Sequence, residues 1–234
     1  MKKKQGWNNP QIWVPILVVL ISAIFGPIIV ERFKNLRVKQ DQPLISTHQR
    51  NEEVSTEKQE FNPMAIKAPF DVAAYFYPSG WMGDRENIYL NTDFRGKPRL
   101  IILDDNSSTC IKIIYSPGSR GWAGIFWQCP DSNWGEHPGK KITGATKITF
   151  WATGEKGSEV VEFKAGGIRD SKKPYHDSFE ISLGRVTLTN EWRKYEITLA
   201  GQDLSSVIGA FAWVATGSAN PGGVIFYLDD IRYE

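Results

Sequence analysis

Two adjacent carboxylates near the end of the chain, Asp229 and Asp230, are the residues whose setting most invites chemistry. They interrupt an apolar segment in which Phe226 and Leu228 alternate in one phase and Ile231 and Tyr233 in the other. A strand has a side-chain period of two, so a slip of one residue marks a bulge. A bulge beside a core can offer carboxylates and backbone carbonyls, the oxygens that calcium takes. Asp71, Asp104 and Asp105 are possible further donors, and no spacing rule selects among them. The alternative is a carboxylate that caps N–H groups at the bulge. Cys110 and Cys129 are the only two cysteines. A hairpin symmetric about Ser119–Arg120 would set them opposite each other and permit a cross-strand disulfide. Such a bridge would imply an oxidising compartment. Otherwise they are two small hydrophobes, as free cysteines commonly are.

The elements that must position these groups are short and extended. TCIKIIYS (109–116) and GWAGIFWQC (121–129) flank a Pro-Gly turn. TKITFWA (146–152) and SEVVEFKA (158–165) flank another turn, and SFEISL, EWRKYEITL, GAFAWVA and VIFYLDDIRY follow. Ile148, Phe150 and Ala152 share one face, with Lys147, Thr149 and Trp151 on the other. Val161, Phe163 and Ala165 oppose Val160, Glu162 and Lys164. Trp122 and Phe126 oppose Ile125 and Trp127, so one of the two Trp residues lies outside the main core. Regular short strands with turn signals predict an all-β fold, a two-sheet antiparallel β-sandwich in which one face of each strand enters a shared core.

Upstream the composition changes. Residues 12–30, IWVPILVVLISAIFGPIIV, carry no charge and are long enough to cross a bilayer as a helix. Lys2, Lys3 and Lys4 lie in a basic tail, residues 1–11. A cleaved signal peptide is the alternative, but the apolar run is long for one and no small-residue cleavage site follows. Basic residues flank both ends, so charge alone does not orient the span. Residues 31–65 are polar and read as a stalk, and residues 66–234 read as the β domain. The net charge of +2 gives no case for nucleic acid.

The segments GWAGIFWQCPDSNWGEHPG (121–139), ITGATKITFWATGEKG (142–157), VVEFKAGGI (160–168), EWRKYEITLAGQDLSSVIGAFAWVA (191–215) and FYLDDIRYE (226–234) resemble the galactose-binding-like β-jelly-roll domains found among carbohydrate-binding modules. The resemblance covers about residues 70–234. Tyr77–Asp84 looks characteristic of a bacterial subgroup of that fold. The resemblance implies a jelly roll, non-catalytic glycan binding and a structural calcium, with Asp229 as ligand and Asp230 as the other choice.

A glycan site needs flat aromatic faces for sugar C–H groups and polar side chains for hydroxyls. Trp81 and Trp134, in Gly-rich loops, lead the candidates, with Tyr77, Tyr175 and Trp151 as further rings. Asp84, Glu136, His137 and Arg169 are the polar candidates. The alternative for each Trp is core or a loop plug. Partners expected are a glycan or another envelope component, and a membrane through residues 12–30. An assembly module that binds protein is the second reading. A glycoside-acting enzyme is the third, with Glu136, Glu159, Glu162 and Asp170 as carboxylates. His48, His137 and His176 are the only histidines, and no zinc-protease, serine-hydrolase or phosphate-loop motif is present.

Overall fold

The computed structural model describes residues 65–97, 99 and 109–234. The apolar run at 12–30, the stalk up to residue 64, and Asp104 and Asp105 lie outside the described residues. Among the described residues no helix is long and apolar enough to cross a membrane.

The described residues form thirteen strands in order: β1 Ile66–Lys67, β2 Phe70–Asp71, β3 Tyr77–Gly83, β4 Ile88–Phe94, β5 Cys110–Tyr115, β6 Trp122–Gln128, β7 Ile142–Thr143, β8 Lys147–Gly154, β9 Val160–Gly166, β10 Glu180–Thr187, β11 Arg193–Thr198, β12 Gly209–Thr216 and β13 Val224–Tyr233. One sheet has the order β10-β9-β12-β6-β3. The other has the order β11-β8-β13-β5-β4, with β2 also paired to β13. Strands β1 and β7 form a small parallel pair. Consecutive strands such as β5 and β6, β8 and β9, or β12 and β13 hold matching ranks in the two sheets. The chain thus winds back and forth between layers, and each arch brings two inward faces to one core. This is the antiparallel β-sandwich that the alternation predicts.

The core uses the predicted phases. Ile113, Tyr115, Ile125, Trp127, Ile148, Phe150, Val161, Phe163, Phe211, Trp213, Phe226 and Leu228 are all buried between the sheets. Phe150 packs on Phe163 at a centroid distance of 4.7 Å and on Phe211 at 5.0 Å. Burying one such ring contributes about 1.5–3 kcal/mol, so this aromatic cluster is a principal source of stability.

The slip in β13 is a bulge. Its register against β8 shifts between Asp229 and Arg232, and Asp230 takes a positive φ of 53°. Beyond it Ile231 and Tyr233 return to the core.

The hairpin expected between β5 and β6 does not form. β5 pairs with β4 and β13, whereas β6 pairs with β3 and β12. The turn after Tyr115 is an arch between sheets, because both strands have apolar faces that must meet the core from opposite sides. Cys110 and Cys129 therefore do not face each other, and both are free thiols. Cys110 lies on the outer side of its sheet, near the Lys97 carbonyl at 3.5 Å, and burial pushes its thiol up to about 11.

Candidate functional site

The outer face of the five-stranded sheet carries an open groove of about 630 Å³. Its floor follows from cross-strand register. Met82, Gly124, Val214 and Glu162 form one row across β3, β6, β12 and β9. Gly80, Phe126, Ala212 and Lys164 form the next. Gly124 keeps the centre flat, since an added Cβ would lie 2.5 Å from the Trp213 carbonyl oxygen and 2.9 Å from the Met82 methyl. Phe126 and Ala212 of this floor form a small apolar cluster with Ile168 and Ile208, separate from the main core. Trp134 packs edge-on against Phe126 with centroids 6.2 Å apart.

Two aromatic rings line the groove, Trp122, 38% exposed, and Trp134, half-buried. Charged side chains line it too: Glu162, Lys164, Arg169 and Asp170. Several of these groups are held in place. Glu162 accepts a hydrogen bond from the Ser182 hydroxyl at 2.7 Å, and Lys164 pairs with Glu180 at 2.8 Å.

Two loops form the rim, and they are joined. In the first, the Asn133 side chain accepts from the amides of Gly135 and His137, and its amide group donates to the carbonyls of Cys129 and His137. Glu136 accepts from the Trp134 amide at 2.7 Å and from Lys173 of the second loop. The Tyr175 amide donates to the Gly135 carbonyl at 3.2 Å. Gly135 has a φ of 106°, and a Cβ there would lie 2.5 Å from the Tyr175 carbonyl oxygen. The Lys173 hydrogen bond, with the Glu136 and Trp134 amides, holds the Glu136 carboxyl down at about 2. The base of the second loop is Asp177, buried, which accepts from the amides of Ile168, Ile208 and Gly209.

The sequence candidates distribute unevenly over this geometry. Trp134 and Arg169 line the groove, Glu136 and His137 belong to the Trp134 loop, and Tyr175 lies on the joined loop. Trp81 lies elsewhere: its phase on β3 packs it against the main core, opposite the Met82 phase. Tyr77 is exposed at the start of the same edge strand. Trp151 lies on the outer face of the other sheet, where the Arg99 guanidinium stacks 4.8 Å from its ring. Asp84 is buried and accepts from the Tyr115 hydroxyl, the Gly118 amide and the Arg120 amide, at 2.9, 2.9 and 2.7 Å. Burial raises its pKa, but the Arg120 and Gly118 amides and the Tyr115 hydroxyl together bring it below the ordinary value. That set of bonds fastens the β5–β6 arch.

Trp122, Met82 and Lys164 are groove residues absent from the sequence candidates, and Glu162 and Asp170 stand there only as carboxylates for the enzyme reading. The phase of β6 already places Trp122 opposite the core. What the sequence lacks is the strand order that brings β9 alongside β12 and β6.

The carboxylates offered for calcium face arginines. Asp229 pairs with Arg99 at 2.9 Å, and Asp230 lies 3.5 Å from Arg99 and 3.8 Å from Arg232. Asp71 lies 3.6 Å from Arg232, its cross-strand neighbour. Among the described residues no group of three or more Asp, Glu, His or Cys side chains is gathered. Calcium takes about six to eight oxygens, and guanidinium groups occupy the positions it would neutralise, so this donor set does not fit it.

No protein-family model matches the chain, and no curated protein matches it. Solved structures similar to it include a family 11 carbohydrate-binding module from Clostridium thermocellum in complex with a β-1,3-1,4-mixed-linked tetrasaccharide. It is 15% identical, the match covers 70% of this chain and 93% of that one, and the TM-score is 0.44. The family 11 module of the C. thermocellum cellulosomal cellulase Lic26A-Cel5E is 13% identical, with 72% and 95% covered and a TM-score of 0.43. The CBM22-1 xylan-binding domain of Paenibacillus barcinonensis Xyn10C is 11% identical, with 71% and 95% covered and a TM-score of 0.39. The ligands in those descriptions belong to those proteins.

Proposed function

We propose that this chain is a non-catalytic glycan-binding module of jelly-roll type, held at a membrane through residues 12–30 with its β domain on the extracytoplasmic side. The observation that carries the glycan reading is the groove itself. It is open, glycine keeps its centre flat, and two tryptophans line it together with hydrogen-bonding charged side chains. Sugar rings have the same division, with C–H faces that pack on indole and hydroxyls that need polar partners. The membrane part rests on the apolar run in the sequence.

The test is affinity electrophoresis or calorimetry of the full chain against plant, bacterial and host polysaccharides. One class of glycan is expected to bind. Trp122→Ala and Trp134→Ala are each expected to weaken it by roughly tenfold, the loss of one stacking contact, with the fold intact. Trp151→Ala is expected to leave affinity unchanged, because that ring lies on the other sheet. Release of reducing ends from a bound polysaccharide would contradict the non-catalytic part. Absence of binding across the panel by a folded chain would remove the glycan reading and favour a protein ligand for the same groove.

A further inference from the structure

We propose that Asp177 is a positioning residue for the groove: its carboxylate holds the floor and rim in the binding arrangement, and protonation releases them. The inference rests on the groove as the ligand site.

Asp177 is 3% exposed and joins two separate segments. One carboxylate oxygen accepts from the Ile168 amide at 2.8 Å. The other accepts from the Ile208 amide at 2.5 Å and the Gly209 amide at 3.2 Å. Ile168 and Ile208 are both members of the apolar cluster that includes Phe126 and Ala212 of the floor. Ile168 is followed directly by Arg169 and Asp170 of the charged rim. Gly209 begins β12, whose Ala212 and Val214 form part of the floor. The loop closed by Asp177 also carries Lys173, the partner of Glu136 in the Trp134 loop. One buried side chain therefore fixes the floor directly and both rims through it.

The three converging amides call for an acceptor, although burial works against the charge. An ionised carboxylate is purely an acceptor, and three N–H groups converge on it. A protonated oxygen is a poorer acceptor and its O–H needs an acceptor of its own, so at least one of the three bonds weakens. Burial raises the Asp177 pKa, while the Ile168, Ile208 and Gly209 amides and the charge of Arg169 lower it less, leaving it at about 6. Its folded value lies above the ordinary 3.8. The stability contribution of this titration is thus full below about 4 and lost as pH rises through about 6. Mild acid therefore does not unfold the domain through Asp177; it alters local geometry.

The neighbouring charged and titratable groups are few. Arg169 lies on its own loop and favours the carboxylate. Tyr233 of β13 is fully buried, donates to the Ala210 carbonyl at 2.8 Å, and is held neutral by burial. On the facing segment, the Asp203 carboxylate accepts from the Ser205 amide and hydroxyl. The His176 ring contacts the Asp170 carbonyl at 2.8 Å on the same loop, so His176 needs its own control.

Amide and indole NMR signals of the full chain, followed from about pH 7.5 to about pH 5, test the proposal across the range where such a group titrates. The amides of Ile168, Ile208 and Gly209 and the Trp134 indole are expected to shift together, with one midpoint near the Asp177 value. The same behaviour is expected in His176→Gln and is expected to vanish in Asp177→Asn. A Trp134 indole that stays still while the three amides titrate would overturn the positioning role. So would an unchanged titration in Asp177→Asn, or its loss in His176→Gln. If Asp177→Asn does not fold, the wild-type and His176→Gln titrations decide the matter. In the binding arm, affinity for the glycan identified above is expected to fall through the same midpoint. A chain with the coupled titration but no glycan affinity at any pH would sink the glycan reading alone; affinity without that titration would sink the Asp177 proposal alone.

Discussion

The pair Asp229–Asp230 shows how far individual residues can be read from sequence. The change of phase from Leu228 to Ile231 identifies the bulge, because a strand has no other way to present both residues to one core. The chemistry of the pair is set by Arg99, which is distant in sequence and stacks on Trp151 while pairing with Asp229. No local pattern marks that arginine. The Arg99 side chain is 16% exposed and Asp229 is 22% exposed, so removing the guanidinium leaves neighbouring carboxylates partly desolvated and without compensation. Arg99→Ala is expected to destabilise the domain by about 1–3 kcal/mol, read as a lower melting temperature. Because arginine supplies the compensating charge, a calcium chelator is expected to leave the wild-type melting temperature unchanged. A chelator-induced drop, restored by calcium, would return the site to a metal.

At the scale of elements, the longer strands from β5 onward were legible, whereas β1 to β4 and the two-residue β7 were not. β8, β9, β11, β12 and β13 alternate or run apolar and are bounded by turn residues. β3, by contrast, contains Pro78 and Gly80 and shifts register between them, which a period-two reading rejects. An edge strand tolerates such residues, because one side of its backbone has no ladder to satisfy. That is also why Trp81 looked like a loop residue, although its strand phase turns it to the core. Pairing between strands was not legible either: turns that read as hairpins are arches between sheets, and the supposed cysteine pair fails for that reason. The joined rim loops form another element of this scale. Glu136 links Trp134 to Lys173, and its depressed pKa means the link contributes above about 4.5 and is lost only as pH falls through about 2. Glu136→Gln keeps an acceptor for the Trp134 amide but removes the charge facing Lys173. Glycan affinity is therefore expected to fall a few-fold, with only a small drop in melting temperature near neutral pH, because an exposed ion pair is worth little. The size of that fall is expected to be constant between about pH 5 and about pH 8, where Glu136 stays ionised, unlike the response assigned to Asp177. A loss of affinity that appears only in mild acid would show that the Glu136 link does not position Trp134.

For the whole molecule, the open question is what a membrane span would add to a binding groove. A shallow, open groove gains little from enclosure, so single contacts with a glycan are expected to be weak. Tethering many copies to one surface changes this. A polysaccharide that meets several grooves rebinds at a high effective concentration, and avidity exceeds the affinity of any one domain without new contacts. Two consequences separate this reading from a cleaved leader. The full chain is expected to remain in the membrane fraction after alkaline carbonate washing, with its β domain open to protease added outside the cell. A chain lacking residues 1–30 is expected to be released while keeping the same affinity for a short oligosaccharide. Only binding to a long polysaccharide is expected to weaken on release, because that alone draws on neighbouring copies. Equal binding of the long polymer by membrane-held and released forms would remove avidity from the role of the span, and release of the full chain by carbonate would remove the span itself.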